Sequence, residues 1–162
     1  MGKWEKRNLS ILGKDKIINS GIRVLEHEAK AITALSKNLS STFCEAVEIL
    51  SKCNGKVIVT GMGKSGHIGQ KIAATFSSTG TPAQFIHPGE ASHGDLGNIS
   101  KEDILIILSN SGETSELYNI VTYSKKSQIP IIGIFALIAK SINFEIFFAC
   151  ISPIVPCYTA KS

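Results

Sequence analysis

Apolar residues change their spacing several times along the chain, and each change predicts an element. Between Lys14 and Lys37, the residues Ile18, Ile22, Leu25, Ala29 and Ile32 recur at steps of four and three, which lines up one face of an α-helix. A second helix is predicted beyond it. Phe43, Ala46, Val47 and Leu50 form its apolar face, Ser41 or Thr42 its cap and Asn54-Gly55 its stop. The step then shortens. Val57-Ile58-Val59, running into Gly61, is a β-branched apolar run of the kind that fills a buried parallel strand. Ser65–Ser78 returns to helical spacing through Ile68, Ile72, Ala73 and Phe76, and Pro82–Ile86 reads as the next strand. Ile104–Leu108 is the clearest strand, followed by a helix over Thr114–Lys126 and a strand over Pro130–Ile134. Strands alternating with helices predict an α/β fold: a doubly wound parallel sheet flanked by helices, with an N-terminal helical segment.

Composition narrows the class. The chain has 162 residues, 43% of them hydrophobic and 19% charged, enough apolar material for one domain with a core. The net charge of +4 comes from scattered lysines, and aromatic residues make up 7%, so no nucleic-acid-binding surface is expected. Cys44, Cys53, Cys150 and Cys157 form no C-x-x-C pair, and reduced thiols in the cytoplasm are expected. Met1 to Arg7 leads into no long apolar run, so no secretory signal is expected. Ile142–Val155 is too short to span a bilayer.

Two loops carry the candidate chemistry. Gly61-Met62-Gly63-Lys64-Ser65-Gly66-His67 and Ser109-Asn110-Ser111-Gly112-Glu113-Thr114-Ser115-Glu116 each follow a predicted strand and open a helix. Helix starts present free N–H groups and the positive end of the macrodipole, which together attract phosphate. Ser109, Ser111 and Thr114 supply hydroxyl donors there, although Ser111 or Thr114 would equally serve as a helix cap. Gly61, Gly63 and Gly66 match the dinucleotide spacing, but Thr81 to His87 lacks the acidic residue that would hold a ribose. A Walker A loop fails because position 58 is isoleucine. Between the loops, His87 to Gly97 holds two histidines six apart, Glu90 and Asp95. The pair suits a sugar contact or part of a metal site, and a zinc site would need further ligands.

Taken together, four segments resemble the arabinose-5-phosphate isomerase family of SIS (sugar isomerase) domains. They are Val57 to His67, Phe76 to Pro82, His87 to Gly97 and Ser109 to Glu116. The resemblance runs from about Ile18 to Ile134. It implies a five-stranded parallel sheet and an aldose–ketose isomerase that interconverts D-arabinose 5-phosphate and D-ribulose 5-phosphate, a step toward the lipopolysaccharide sugar Kdo. By the same resemblance, Lys64 and Glu116 are catalytic, and Gly80, Thr81, His87 and His93 contact substrate; Ser65, Ser109, Ser111 and Thr114 are expected to bind it as hydroxyl residues of the two loops. It implies no required cofactor, with a divalent metal (zinc) contacting His87. The expected partners are a small-molecule sugar phosphate and further copies of the chain in a homo-oligomer, a tetramer in the family; nucleic acid and membrane are not expected.

Residues 1–40 are expected as a lead-in and helix, 41–136 as the SIS domain, and 137–162 as a divergent tail. After Ile134 the family's Glu-Ala-Cys-Pro, Ala-Pro-Thr-x-Ser and Ser-His-Pro-Gly-Gly segments find no match, nor do its second glutamate and catalytic histidine. The tail therefore reads as a frameshifted or truncated end. Ile146, Phe147, Phe148, Ile151 and Ile154 are expected to form a poorly covered edge strand. A non-catalytic, regulatory sugar-phosphate module is the alternative to an enzyme.

Overall fold

A computed structural model describes residues 13–135 and 146–148, the last three for their backbone path. In chain order the elements are α1 (Lys14–Asn38), α2 (Ser41–Ser51), β1 (Val57–Gly61), α3 (Lys64–Ser78), β2 (Ala83–Phe85), α4 (Pro88–Ala91), β3 (Ile104–Ser109), α5 (Tyr118–Lys126), β4 (Ile131–Phe135) and β5 (Ile146–Phe148). Short 3-10 turns cover Asp95–Asn98 and Ser115–Leu117. The strands form one sheet in the order β2-β1-β3-β4-β5, and every pairing is parallel. Of the expected edge strand, Ile146–Phe148 is seen beside β4. Ile151, Ile154, Cys150, Cys157 and the rest of the tail, like residues 1–12, lie outside the described residues.

Alternation along the buried strands divides the core in two. Val57, Val59, Ile104, Ile106 and Leu108 turn to one face of the sheet, where Ala46 of α2 and Ala73 of α3 meet them. Ile58, Leu105 and Ile107 turn to the other, against Ala91 of α4 and Ile120 and Val121 of α5. β1 and β3 are buried at every residue, as strands covered on both faces must be. At their amino ends a polar staple joins them. The Asp103 carboxylate is 1% exposed and accepts the backbone N–H groups of Lys56 at 2.9 Å and Ser100 at 2.8 Å. It also accepts the Lys56 ammonium at 2.8 Å.

Three expectations need correction. The cap of α2 is Ser40 rather than Ser41 or Thr42. Ser40 is extended (φ −128°, ψ −176°), and its carbonyl accepts the Phe43 N–H at 3.0 Å. Three hydroxyl residues in a row all suit a cap by type, and the backbone angle selects one. The helix expected from Thr114 instead opens as a 3-10 turn and becomes α-helical at Tyr118. The His87–Gly97 stretch, for which the spacing predicted no element, contains α4 and the Asp95–Asn98 turn.

Helix α1 carries its apolar stripe unburied: Ile18, Leu25 and Ile32 are 58%, 67% and 60% exposed. An apolar cavity of about 380 Å³ lies between α2, α3 and the sheet, walled by Phe43, Val47, Leu50, Ile72, Ile106 and Ile132. It lies on the α2–α3 side of the sheet, away from the polar loops described next. Among the described residues no helix is long and apolar enough to cross a membrane.

Candidate active site

Because the strands are parallel, Gly61, Phe85, Ser109 and Phe135 all end at one edge of the sheet. The pairings Gly61 with Leu108 and Ser109 with Phe135 fix that edge in register. From it the chain leaves β1 toward α3 on one face and leaves β3 toward α5 on the other. The strand order reverses at β1 and β3, and crevices at such points receive ligands in open parallel sheets.

The turn after β1 depends on its glycines. Gly63 has φ +56°, which side chains resist. Gly66 lies so close to β1 that an added Cβ would sit 2.7 Å from the Gly61 carbonyl oxygen. This packing brings the start of α3 down onto the strand end, with Lys64 and Ser65 in its first turn. That turn holds no acidic residue, although a carboxylate is what the helix dipole favours there. An exposed lysine instead adds positive charge to the positive end of the dipole, and the combination attracts an anion.

The turn after β3 is braced by its hydroxyls. Ser109 is 5% exposed. Its Oγ accepts the buried Gly112 N–H at 3.0 Å and pairs with Thr114 Oγ1 at 3.0 Å. Ser111 Oγ accepts the Glu113 N–H at 3.2 Å. These bonds brace the turn from within and occupy the Gly112 and Glu113 N–H groups. Glu116 lies in the 3-10 turn, where Ser115 Oγ donates to its Oε2 at 2.8 Å. Its own backbone N–H, and then the Ser115 hydroxyl, hold the Glu116 carboxyl below its ordinary value of 4.5 against a small opposing effect of desolvation. It is therefore ionised at neutral pH.

The histidine segment starts at the same edge. The Ile86 N–H donates to the Val59 carbonyl at 2.9 Å, and buried Thr60 Oγ1 donates to the Ile86 carbonyl at 2.8 Å. His87 then caps α4, its Nδ1 accepting the Gly89 N–H at 3.2 Å. That bond leaves Nε2 as the ring nitrogen able to meet a ligand. His93 is exposed just past α4. Among the described residues no group of three or more histidine, cysteine, aspartate or glutamate side chains is arranged to hold a metal ion. A structural or catalytic zinc needs at least three protein ligands, and the described residues bring no such set to His87.

Lys64, Ser65, His87, His93, Ser109, Ser111, Thr114 and Glu116 thus share the carboxyl edge. Gly80 and Thr81 do not. They follow α3 and precede β2, and Pro82 beside them accepts the Val57 N–H at 2.8 Å. They stand at the amino edge, separated from the two loops by the five residues of β1, about 13 Å of strand. The sequence analysis singled out neither Thr60, buried in β1, nor Asn119, whose Nδ2 donates to Ser92 Oγ at 2.7 Å.

Comparison with known proteins agrees with this architecture. A model of the SIS domain matches residues 49–142. The arabinose 5-phosphate isomerase KdsD of Yersinia pestis is 51% identical over 113 residues, covering 70% of this chain and 34% of that protein. The protein of the same name from Francisella tularensis is 49% identical over 120 residues, covering 72% and 37%. This chain therefore spans about a third of the length of these relatives. The structure of Escherichia coli CFT073 c3406 in complex with arabinose 5-phosphate superposes with a TM-score of 0.72 at 40% identity, covering 76% of this chain and 66% of that one. The SIS model spans more than half of the chain, and the parallel sheet with its loops at the β1–β3 crevice has the matching architecture: this protein belongs to the SIS domain family.

Proposed function

We propose that this chain forms the sugar-phosphate-binding part of a cytoplasmic aldose–ketose isomerase that interconverts D-arabinose 5-phosphate and D-ribulose 5-phosphate. The observation that carries the reading is that two strand-to-helix turns of opposite charge share one edge of the sheet. One has a lysine where helix electrostatics would favour a carboxylate, and the other is a serine-braced turn ending in an ionised glutamate. The KdsD relatives and the neighbour bound to arabinose 5-phosphate support the choice of sugar.

The reaction takes a proton from C2 of the aldose, passes through an enediolate, and returns a proton to C1 while the hydroxyl proton moves from O2 to O1. It needs a base and a group that stabilises the developing oxyanion. Lys64 is suited to hold the phosphate or the oxyanion. Glu116, on the other turn, is suited to abstract the proton or to position another base.

Binding and turnover are separable, because each acid or base commonly supplies about 10²–10⁴-fold in rate. Calorimetry with arabinose 5-phosphate beside a coupled isomerase assay on the 162-residue chain tests the reading. Absence of binding would reject the site. Binding with a kcat of about 1–10³ s⁻¹, the usual enzyme range, would support the isomerase, and binding with no turnover at all would mark the chain as a regulatory sugar-phosphate module.

Self-association belongs to the same proposal. Gly80 and Thr81 can touch the sugar bound at the carboxyl edge only from another copy of the chain. Helix α1 offers an uncovered apolar stripe to hold such copies together.

A further inference from the structure

We propose that Asn119 is a positioning residue, whose carboxamide fastens the segment carrying His93 to the helical turn carrying Glu116. The inference rests on the sugar-phosphate reading and deepens it. His93 and Glu116 belong to separate segments, and both lie at the carboxyl edge. Ser92 immediately precedes His93, and Asn119 stands three residues after Glu116. Asn119 Nδ2 donates to Ser92 Oγ at 2.7 Å, a bridge across 27 residues of chain. The three-residue step from Glu116 to Asn119 spans the junction where the 3-10 turn of Glu116 passes into α5, and residues three apart in helical backbone are neighbours.

Beneath this bridge, Ala91, Leu117 and Ile120 pack in one buried cluster, which sets the distance between α4 and α5. The cluster does not reach His93. Past Ala91 the backbone is held by the His93 N–H to the Glu90 carbonyl at 2.9 Å and by the longer Gly94 N–H to the Ala91 carbonyl at 3.4 Å. Gly94 then turns away with φ +132°. Ser92 and His93 are both exposed, so the Asn119 bridge is what ties this last turn from the side to the start of α5, next to the turn of Glu116. Without it, the imidazole would sample a wider range of positions relative to Glu116 while the phosphate turns stayed intact.

The test uses the full 162-residue chain and three variants: Asn119→Ala, Ser92→Ala and Asn119→Asp, the last keeping the shape and able to accept the Ser92 hydroxyl. Amide hydrogen exchange at His93 and Gly94, without ligand, is expected to quicken about 2–10-fold in either alanine variant. The double variant should show no further change, because the two residues form one interaction. Imidazole NMR of His93 during titration with arabinose 5-phosphate is the second arm. Asn119→Ala should lose at least about half of the His93 response while affinity changes less than about twofold, and Asn119→Asp should restore the response. Unchanged exchange, or effects of the two alanine variants that multiply, would overturn the bridge. A full His93 response in Asn119→Ala would overturn the positioning role. If the wild-type chain binds no arabinose 5-phosphate, the sugar-phosphate reading and the positioning role built on it both fail, and the exchange arm still decides the bridge.

Discussion

Replacing Ser109 by alanine removes one atom on which the phosphate turn depends. Ser109 Oγ is the acceptor for the Gly112 N–H at 3.0 Å and the partner of Thr114 Oγ1 at 3.0 Å. Gly112 is buried and has φ +73°, so water cannot take over as acceptor without opening the turn. A buried donor left without a partner costs about 1–3 kcal/mol. Thr114 is half-buried, and water can satisfy its hydroxyl at little cost. The expected loss is thus about 2 kcal/mol, nearly all of it from Gly112. With a urea slope of about 2 kcal/mol/M, the unfolding midpoint should fall by about 1 M. The same loosened turn should bind arabinose 5-phosphate more weakly, because the shape of the turn is no longer held. Urea denaturation followed by fluorescence, with calorimetry on the folded variant, reads both. An unchanged midpoint together with unchanged affinity would show that Ser109 braces nothing, and the account of this turn would fall.

Three further outcomes follow from named contacts. Ser111→Ala combined with Thr114→Ala should weaken arabinose 5-phosphate binding by about 1–3 kcal/mol, and equal calorimetric affinities would exclude this loop as the phosphate site. Burial pushes the Asp103 carboxyl up, but the Lys56 ammonium, the backbone N–H groups of Ser100 and Lys56 and the Ser100 side chain outweigh it and hold the group below its ordinary value of 3.8. A depressed carboxyl stabilises the fold fully above its unfolded pKa, and the contribution fades as pH falls through the folded one. Asp103→Asn should therefore cost about 2–3 kcal/mol at neutral pH, below the full value for a buried pair because Lys56 is partly exposed; a thermal stability difference from wild type that did not narrow in acid would contradict this. Finally, Ile18→Glu with Leu25→Glu should abolish self-association of the chain, and a sedimentation profile of pure wild-type monomer at micromolar concentration would remove the role assigned to α1.

The sequence by itself determined the elements and the chemistry of the loops. Ile104 to Leu108 and Val57 to Val59 are apolar on both sides, which only a strand covered on two faces can use, and they become β3 and β1. The stripe from Ile18 to Ile32 specifies a helix because its four-and-three spacing is a local property, and α1 forms over Lys14–Asn38. The two polar turns were legible because a glycine-rich or hydroxyl-rich run between a strand and a helix has few structural uses.

What the sequence could not determine was anything set by contacts distant along the chain. Parallel pairing decides that Lys64 and Ser109 share an edge while Gly80 and Thr81 stand at the opposite one, since every β-to-α crossing carries the chain from one edge of the sheet to the other. The close approach of Gly61 and Gly66, the Thr60 bond to Ile86 and the Asn119 bond to Ser92 likewise exist only once β1, β2, α3 and α5 are docked. The Ser109–Thr114 pair depends on how sharply one turn closes. Spacing along the chain reports local periodicity. The separation of the site residues into two edges, and the bridge between the His93 segment and the start of α5, arise from strand direction and helix docking, which no local window contains.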